Sequence, residues 1–558
     1  MLIDAHELSS EQVISVDICI VGSGPAGITL AREFLGQRQQ VCLLESGGVE
    51  LNPQVQALSQ AETTGDPYLA PHLTRHRQFG GNSNIWSIKI GNGEIGVRYV
   101  PLDEIDFEQR DWLPYSGWPL TKADLDPFYE RAQVVCQAGP YAYSADFWQT
   151  DDAAPLPLKT DRLVTNVFQF GPRHVFYQHY REELKQAENI KICVNATVLD
   201  IEADELAQTV KRLRVASTPD RQFWVEAKVF VLATGGIENA RLLLASNQQQ
   251  PTGLGNHHDL VGRYFMDHAL VDGGMFTPSE PGLYDRMALY DLRRVNNAPI
   301  LGRLGLSKQT MQQEHLLNFA AVLFPRPSQR QFDAIVAFKG LAESLLDKTL
   351  PSHLPSEVFK ILAGLDYVVL ASYLAATKHQ SLAHGFGRGG WSELSNNQRR
   401  FKAFQVFFLT EQAPDPANRV TLSSQRDSFG VPKAEVHWKW GDFNNQSIAR
   451  SQEILAEELS RAGLGTYQIK RNANGQPDVC YPAGLAHHLG TTRMHPDPKQ
   501  GVVDVNGRVH GISNLFMTGS SVFPTGSYAN PTLTIVALSL RLAGHLTQVL
   551  EQQTVEIH

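Results

Sequence analysis

Between Val16 and Glu45 the hydrophobic pattern changes period twice. Val16-Asp17-Ile18-Cys19-Ile20-Val21 is a short, mostly apolar run of the kind that forms a strand buried on both faces. Gly22-Ser23-Gly24-Pro25-Ala26-Gly27 breaks it, and from Ala26 to Leu35 the apolar positions take up helical spacing. Val41-Cys42-Leu43-Leu44 is a second buried strand, closed by Glu45. A related unit begins about two hundred residues later. Val229-Phe230-Val231-Leu232 is apolar, Ala233-Thr234-Gly235-Gly236 interrupts it, and a helix is predicted from Ile237 to Ser246. Residues 188–203 read as further strands. Two strand–glycine–helix units so far apart predict an α/β domain assembled from separate stretches of chain.

The first turn carries the most specific chemistry. In a G-x-G-x-x-G turn opening a helix, Gly22 makes the tight turn and Gly24 lets backbone approach a pyrophosphate. Gly27 lets helix and strand pack closely. The helix start at Pro25 and Ala26 offers free N–H groups and a positive dipole end to phosphate. Glu45 stands eighteen residues after Gly27, where a carboxylate can accept hydrogen bonds from a ribose diol. No arginine lies beside it, which favours FAD or NAD over NADP. A purely structural βαβ unit is the alternative.

Residues 270–480 have another texture. Phe404 to Gln412 and Glu435 to Trp440 contain alternating stretches, predicting antiparallel strands of a separate sheet, the natural place for a substrate. A helix is predicted from Lys122 to Gln137 and another from Asn530 to about Leu550. In the second, Asn530 is a good N-cap and Pro531 fits the first helical position. Its Leu533, Ile535, Val536, Leu538, Leu540 and Leu542 make it apolar on most sides, so it should be buried. A buried helix start is an anion site that could face the pyrimidine edge of a flavin. The expected fold is α/β (α+β overall): a Rossmann-type domain binding FAD or NAD from 1–100, 188–268 and 481–558, and a substrate domain from 101–187 and 269–480. The latter is a mostly antiparallel sheet backed by helices, with a helical lid or insert around 330–390 beside proline-rich 322–330 and glycine-rich 385–390. Ile361 to Thr377 is an apolar run of seventeen residues interrupted by Asp366, short of the roughly 20 needed to span a bilayer. It reads as a buried or substrate-covering helix, or as a surface that docks on a membrane or a partner subunit.

The chain has 558 residues, too many for one core. Its formal net charge of −9 disfavours electrostatic binding to nucleic acid or an anionic membrane. The five cysteines are scattered, with no C-x-x-C, so neither a disulfide framework nor a metal site is expected. Cys19 and Cys42 fall in predicted buried strands and read as small apolar core residues. The first fifteen residues hold Asp4, Glu7 and Glu11 and no basic cluster, which points to a cytoplasmic protein unless a signal-bearing partner exports it.

Two C-terminal segments remain: Ala486-His487-His488-Leu489-Gly490-Thr491-Thr492-Arg493-Met494, and Met517 to Leu533 with Gly519-Ser520-Ser521 and Asn530-Pro531-Thr532. Together with the first turn, the Gly80-Gly81-Asn82-Ser83-Asn84-Ile85-Trp86 loop, Leu232 to Leu244 and the segment Val261 to His268, they make six ordered matches. On these the chain resembles the glucose–methanol–choline oxidoreductases, FAD-dependent alcohol dehydrogenases and oxidases, with a pattern nearest bacterial sugar and polyol dehydrogenases and pyranose oxidases.

The resemblance implies oxidation of an alcohol, with a sugar, glycoside or polyol hydroxyl favoured, to a ketone or aldehyde by hydride transfer to flavin N5. His487 would be the general base and Asn530 its partner, both before the flavin ring. By its residues alone, His487 could equally be a core or surface histidine. His488 reads as structural or solvent-facing, and Asn530 as a helix cap with or without a catalytic role. Further FAD contacts are expected at Ser46, Gly80, Gly81, Asn84, Ile85, Val198, Ala233, Thr234, Gly235, Gly519, Ser520, Pro531 and Thr532. Where some relatives carry a flavin-linked histidine this chain has Ile85, so FAD should be held without a covalent bond. The electron acceptor (O2, a quinone or a redox partner) stays open. Glu411 and Gln412 could face the pocket or serve structure. Two other readings use the same residues: a non-redox lyase on a flavoprotein scaffold, and a flavoprotein subunit active only with a partner. A homo-oligomer is also open.

Overall fold

Valine, isoleucine and cysteine side chains place Val13–Val21 inside a sheet, with Ile18, Cys19 and Ile20 fully buried. The computed structural model describes residues 1–555 except 92–93, 348–352, 379–388 and 395. Val13–Val21 lies in an eight-stranded sheet ordered Leu2–Asp4, Ile190–Val194, Val41–Leu44, Val13–Val21, Arg221–Leu232, Val210–Thr218 and Thr197–Ala203. Leu515–Met517 pairs with the far half of Arg221–Leu232. Pairing is parallel from Leu2–Asp4 to Arg221–Leu232, and Val210–Thr218 and Thr197–Ala203 return antiparallel.

The register decides where the site forms. Cys193 pairs with Leu44, Leu44 with Val21, Val21 with Leu232, and Leu232 with Met517. These five residues form one row near the carboxyl ends of parallel strands. The loops that leave the row, at Gly22, Glu45, Ala233 and Thr518, therefore emerge side by side, at the edge where open α/β sheets bind ligands. The turn at Gly22 is possible only for glycine: φ is +101°, and an added Cβ would sit 2.7 Å from the Ala233 carbonyl oxygen. At Gly27 the helix Pro25–Arg32 passes so close that a Cβ would lie 1.9 Å from the Gly22 carbonyl oxygen.

A ten-stranded antiparallel sheet stands beside the first. Its order is Gly465–Ile469, Ala269–Pro278, Ala403–Thr410, Phe319–Arg326, Ala298–Leu306, Leu163–Pro172, Glu94–Tyr99 and Ile88–Gly91, with Arg293–Val295 and Asp478–Val479 as side branches. Glu94–Tyr99 and Ile88–Gly91 thus belong with this sheet, although they fall inside the 1–100 stretch assigned by sequence to the cofactor domain. The alternation at Glu435 to Trp440 also leads elsewhere. It forms Pro432–Trp438 in a small three-stranded sheet with Arg419–Arg426 and, in parallel, Ala61–Gly65. Pairing partners, invisible to local pattern, decide both assignments.

The C-terminal helix is Thr532–Val555. It is long and apolar enough to cross a membrane, but it packs on Pro25–Arg32 and Lys122–Val135 as a core helix. The 330–390 insert, of which 348–352 and 379–388 fall outside the described residues, holds Gln329–Leu346, Leu354–Ala363 and Leu365–Lys378. The apolar run from Ile361 is therefore not one helix. It bends by 83° at Gly364, where a Cβ would meet that of Ala334 at 2.5 Å. Nor is it a buried helix: Tyr367, Val368 and Leu374 are buried, while Leu362, Leu365, Val369 and Tyr373 are exposed.

Gly27→Ala should destabilise the first sheet by about 3 kcal/mol or more, the upper end for overpacking, because backbone rather than a movable side chain blocks the new methyl. A thermal-melting midpoint equal to that of the parent protein would refute this account of the close helix approach.

Candidate active site

A cavity of about 560 Å³ opens along the row of strand ends. That volume is within the range of small-molecule and cofactor sites. Gly22, Gly24, Pro25 and Ala26 line it from the first turn, Glu45 and Ser46 from the second strand, and Ala233, Thr234 and Gly235 from the third. Val198, Gly81, Ile85, Gly519, Ser520, Asn530, Pro531 and Thr532 line it as well. Gly27, Gly80 and Asn84 do not line it. Gly27 is a packing contact, Gly80 abuts Tyr177, and the Asn84 amide donates to the Phe79 and Gly81 carbonyls at 2.9 Å each, bracing the loop from within. The walls suit a long ligand carrying phosphate. At Gly24, Gly235 and Gly519 an added Cβ would meet only open space, so bare backbone faces the cavity. The Glu45 carboxylate is held by Ser23 N–H at 3.1 Å, Ser23 Oγ at 2.7 Å and Gly47 N–H at 2.8 Å, and still borders the cavity.

One end of the cavity is rich in arginine. Arg75, Arg77 and Arg241 converge on Glu238, with Arg77 at 2.6 Å, and Arg241 also meets Asp427 at 2.6 Å. Burial opposes ionisation of Glu238, yet the three guanidinium groups hold its carboxyl well below the usual range. Burial lowers Arg75 to about 10. Three cations against two carboxylates leave this end favourable to an anion. Sequence reading passed over these residues. The Arg75-His76-Arg77 run and the i, i+3 pair Glu238 and Arg241 were visible, but nothing local joined them.

At the other end stand His487 and Asn530. Asn530 Nδ2 lies 3.1 Å from His487 Nε2, and Arg98 Nε donates to Asn530 Oδ1 at 2.8 Å. Asn530 is not a helix cap. The helix begins at Thr532, the Pro531 carbonyl accepts from Ile535 N–H, and the Asn530 amide is committed to the histidine and the arginine. Behind His487 lies His268, with the two Nδ1 atoms 2.8 Å apart. The loop is held by Asp267, whose Oδ1 accepts from the backbone N–H groups of His268, Leu485 and His487 at 2.7, 3.2 and 3.1 Å. Tyr68 donates to its Oδ2 at 2.5 Å. Burial raises Asp267 to about 6, against the pull of those donors. The same burial drives His487 well below its ordinary value, helped by His268, Arg98 and His488. His488 is buried rather than solvent-facing, with Nε2 3.1 Å from Thr74 Oγ1, and is lowered to about 3.

The second sheet supplies the facing wall through Arg98, Leu270 and Leu409. Glu411 and Gln412, just beyond that wall strand, serve structure. Arg110 grips Glu411 at 2.9 and 2.5 Å with both side chains buried, and Gln412 Oε1 accepts from Asp267 N–H at 3.0 Å and from Trp438 Nε1 at 2.9 Å. Arg98 could have been noticed as a lone cation between Val97 and Tyr99. His268 offered only its place in the Val261 to His268 segment.

Comparison with known proteins finds likenesses for this chain. Residues 414–539 match the family model described as GMC oxidoreductase. The large subunit of fructose dehydrogenase from Gluconobacter japonicus is 28% identical over 367 residues, covering 65% of this chain and 55% of that one. The 6'''-hydroxyparomomycin C oxidase of Streptomyces lividus is 24% identical over 588 aligned positions, covering 95% and 92%. Among solved structures, formate oxidase shares the fold at a TM-score of 0.53, with 16% identity over 98% of this chain and all of that one. Over residues 414–539 the chain is similar to the GMC oxidoreductases. FAD fits this cavity through the bare-backbone turns, the Glu45 carboxylate and the arginine-rich end.

Two outcomes test this site. Gly24→Ala should leave melting of the flavin-free protein unchanged but cut the FAD content of purified protein severalfold, since its methyl enters only the cavity. Normal flavin content would refute the cradle. The second concerns acid. His488 binds a proton more weakly folded than unfolded, so the stability it contributes is complete above about 6.5 and lost as pH falls toward about 3. The thermal midpoint should fall between pH 7 and pH 5, and fall less in His488→Gln. Equal falls would refute the buried neutral imidazole.

Proposed function

We propose that the protein oxidises an alcohol, with a sugar, glycoside or polyol hydroxyl favoured, to the ketone or aldehyde. The observation that carries the reading is the meeting of His487 Nε2 and Asn530 Nδ2 at 3.1 Å in the cavity wall. FAD, when bound, supplies the two-electron acceptor that takes the hydride. A carbinol oxygen set against both members of the pair would give its proton to His487 Nε2 and receive a hydrogen bond from Asn530 Nδ2. Burial keeps His487 neutral at ordinary pH, the form a base needs. A positioned base contributes about 10²–10⁴-fold, and a preorganised donor to the developing alkoxide about 10²–10³-fold. Leu270, Leu409 and Leu485 give the same cavity an apolar wall. Ile85 in the cavity wall offers no nucleophile, which supports FAD held without a covalent bond. The sugar preference is supported by relatives named for fructose and for 6'''-hydroxyparomomycin C.

A second reading is a flavoprotein subunit that works with a partner. It is supported by the exposed apolar side chains of the insert, from Val336 to Tyr373, and by a relative named as a large subunit.

His487→Ala should stay yellow and lose about 10²–10⁴-fold in the rate of anaerobic flavin bleaching by an alcohol substrate. Bleaching at the parent rate would remove His487 as the base. Turnover by the parent protein without bleaching would replace oxidation by a lyase reaction. Sizing the purified protein and assaying it with artificial acceptors tests the subunit reading: full activity as a lone chain would refute it.

A further inference from the structure

We propose that His268 and Arg98 together lock His487 in the tautomer that carries its proton on Nδ1 and leaves Nε2 bare, so that the nitrogen beside Asn530 is the one able to take a substrate proton. The proposal rests on the base role proposed for His487.

Four hydrogen bonds run in line. Arg98 Nε meets Asn530 Oδ1 at 2.8 Å, Asn530 Nδ2 meets His487 Nε2 at 3.1 Å, His487 Nδ1 meets His268 Nδ1 at 2.8 Å, and His268 Nε2 meets the Gly526 carbonyl oxygen at 3.2 Å. Both ends of the line are one-way. A guanidinium can only donate, and a carbonyl oxygen can only accept. Because Arg98 donates, the amide oxygen of Asn530 must face it, and the amide NH2 must face His487. An NH2 group only donates here, so His487 Nε2 must accept with a bare lone pair. At the far end the Gly526 carbonyl requires a proton on His268 Nε2. A neutral imidazole protonated there has a bare Nδ1, which accepts from His487 Nδ1–H. The two deductions start from opposite ends and agree at His487.

The reversed tautomer would set N–H against NH2 at one nitrogen and lone pair against lone pair at the other, losing two hydrogen bonds at once. Extra protonation of either ring would turn N–H against a donor as well. The surroundings disfavour it: burial lowers His268 to about 4, with Glu411 and Arg98 pulling in opposite directions, and His487 faces Arg98 and His488. Asp267 adjoins the pair through its backbone bonds, and the charge of Glu411 is matched by Arg110. His268 is almost wholly buried and stands behind His487, away from the cavity lining. It is a positioning residue. When His487 takes the substrate proton, Nε2 gives up its bond from Asn530 Nδ2, while its Nδ1–H still donates to His268 Nδ1 and gains strength from the new charge.

The test pairs kinetics with a direct reading of the proton. His268→Leu removes the acceptor, whereas in His268→Asn a carboxamide oxygen can stand in for Nδ1. Bleaching by substrate under anaerobic conditions should slow about 10²-fold or more in the leucine variant, toward the roughly 10⁴-fold cost of a mis-set tautomer in a triad. The asparagine variant should stay within about tenfold of the parent rate, and FAD content and substrate Kd should hold in both. Selective 15N-histidine labelling, with His487 assigned by the signals missing in His487→Ala, should show protonated Nδ1 and bare Nε2 in the parent protein, with or without FAD. A proton on Nε2 there overturns the proposal even if the leucine variant does not fold. Equal rates for the leucine variant and the parent overturn it too, as does an asparagine variant no faster than the leucine one. If His487→Ala itself bleaches at the parent rate, the base reading fails separately.

Discussion

The structure depends on one register. With Cys193, Leu44, Val21, Leu232 and Met517 in a single row, strands far apart in the chain end at the same edge of the sheet. A shift of one residue in any pairing would displace a turn along the edge and turn the strand's side chains to the opposite face. Near-complete burial on both faces enforces the register, since every slip would expose apolar surface worth roughly 1.5–3 kcal/mol for each large side chain. Hydrogen bonds then tie the loops together. Asn239 accepts from Thr234 N–H at 2.9 Å and donates to Ser521 Oγ at 2.9 Å, and Ser520 Oγ donates to the His488 carbonyl at 2.6 Å.

The two ends of the cavity solve opposite electrostatic problems. At the arginine-rich end, charges are kept ionised by mutual pairing, because an isolated buried guanidinium would cost several kcal/mol. At the histidine end burial keeps the imidazoles neutral, and their hydrogen bonds take the place of charge. Asp267 links the two strategies. Its carboxyl accepts from three backbone N–H groups and from the Tyr68 hydroxyl rather than from the His487 ring, so it shapes the loop without bonding the imidazole.

The insert follows another logic. Gln329–Leu346, Leu354–Ala363 and Leu365–Lys378 bury a thin inner seam around Ala334, Tyr367 and Leu374 and leave large apolar groups outside. Scattered exposed apolar residues are ordinary on a protein surface, but here they are concentrated on one appendage away from the cavity lining.

Sequence alone determined the units whose rules are local. The Gly22 to Gly27 turn, the buried strands around it, the glycine break after Leu232 and the apolar C-terminal helix all follow from periodicity and from backbone that only glycine can adopt. His487 and Asn530 were legible through their motifs, and most expected cavity residues were legible with them. Tertiary structure alone decided which strands pair, so Ile88–Gly91 and Glu94–Tyr99 joined the second sheet and Pro432–Trp438 a third. It alone turned Asn530 from a cap into the partner of Arg98 and His487, bent the apolar run at Gly364, and set His268 behind His487. The reason is range: backbone preference acts over a few residues, whereas the two Asn530 bonds, for example, join side chains 43 and 432 positions apart, where only the folded chain can supply a partner.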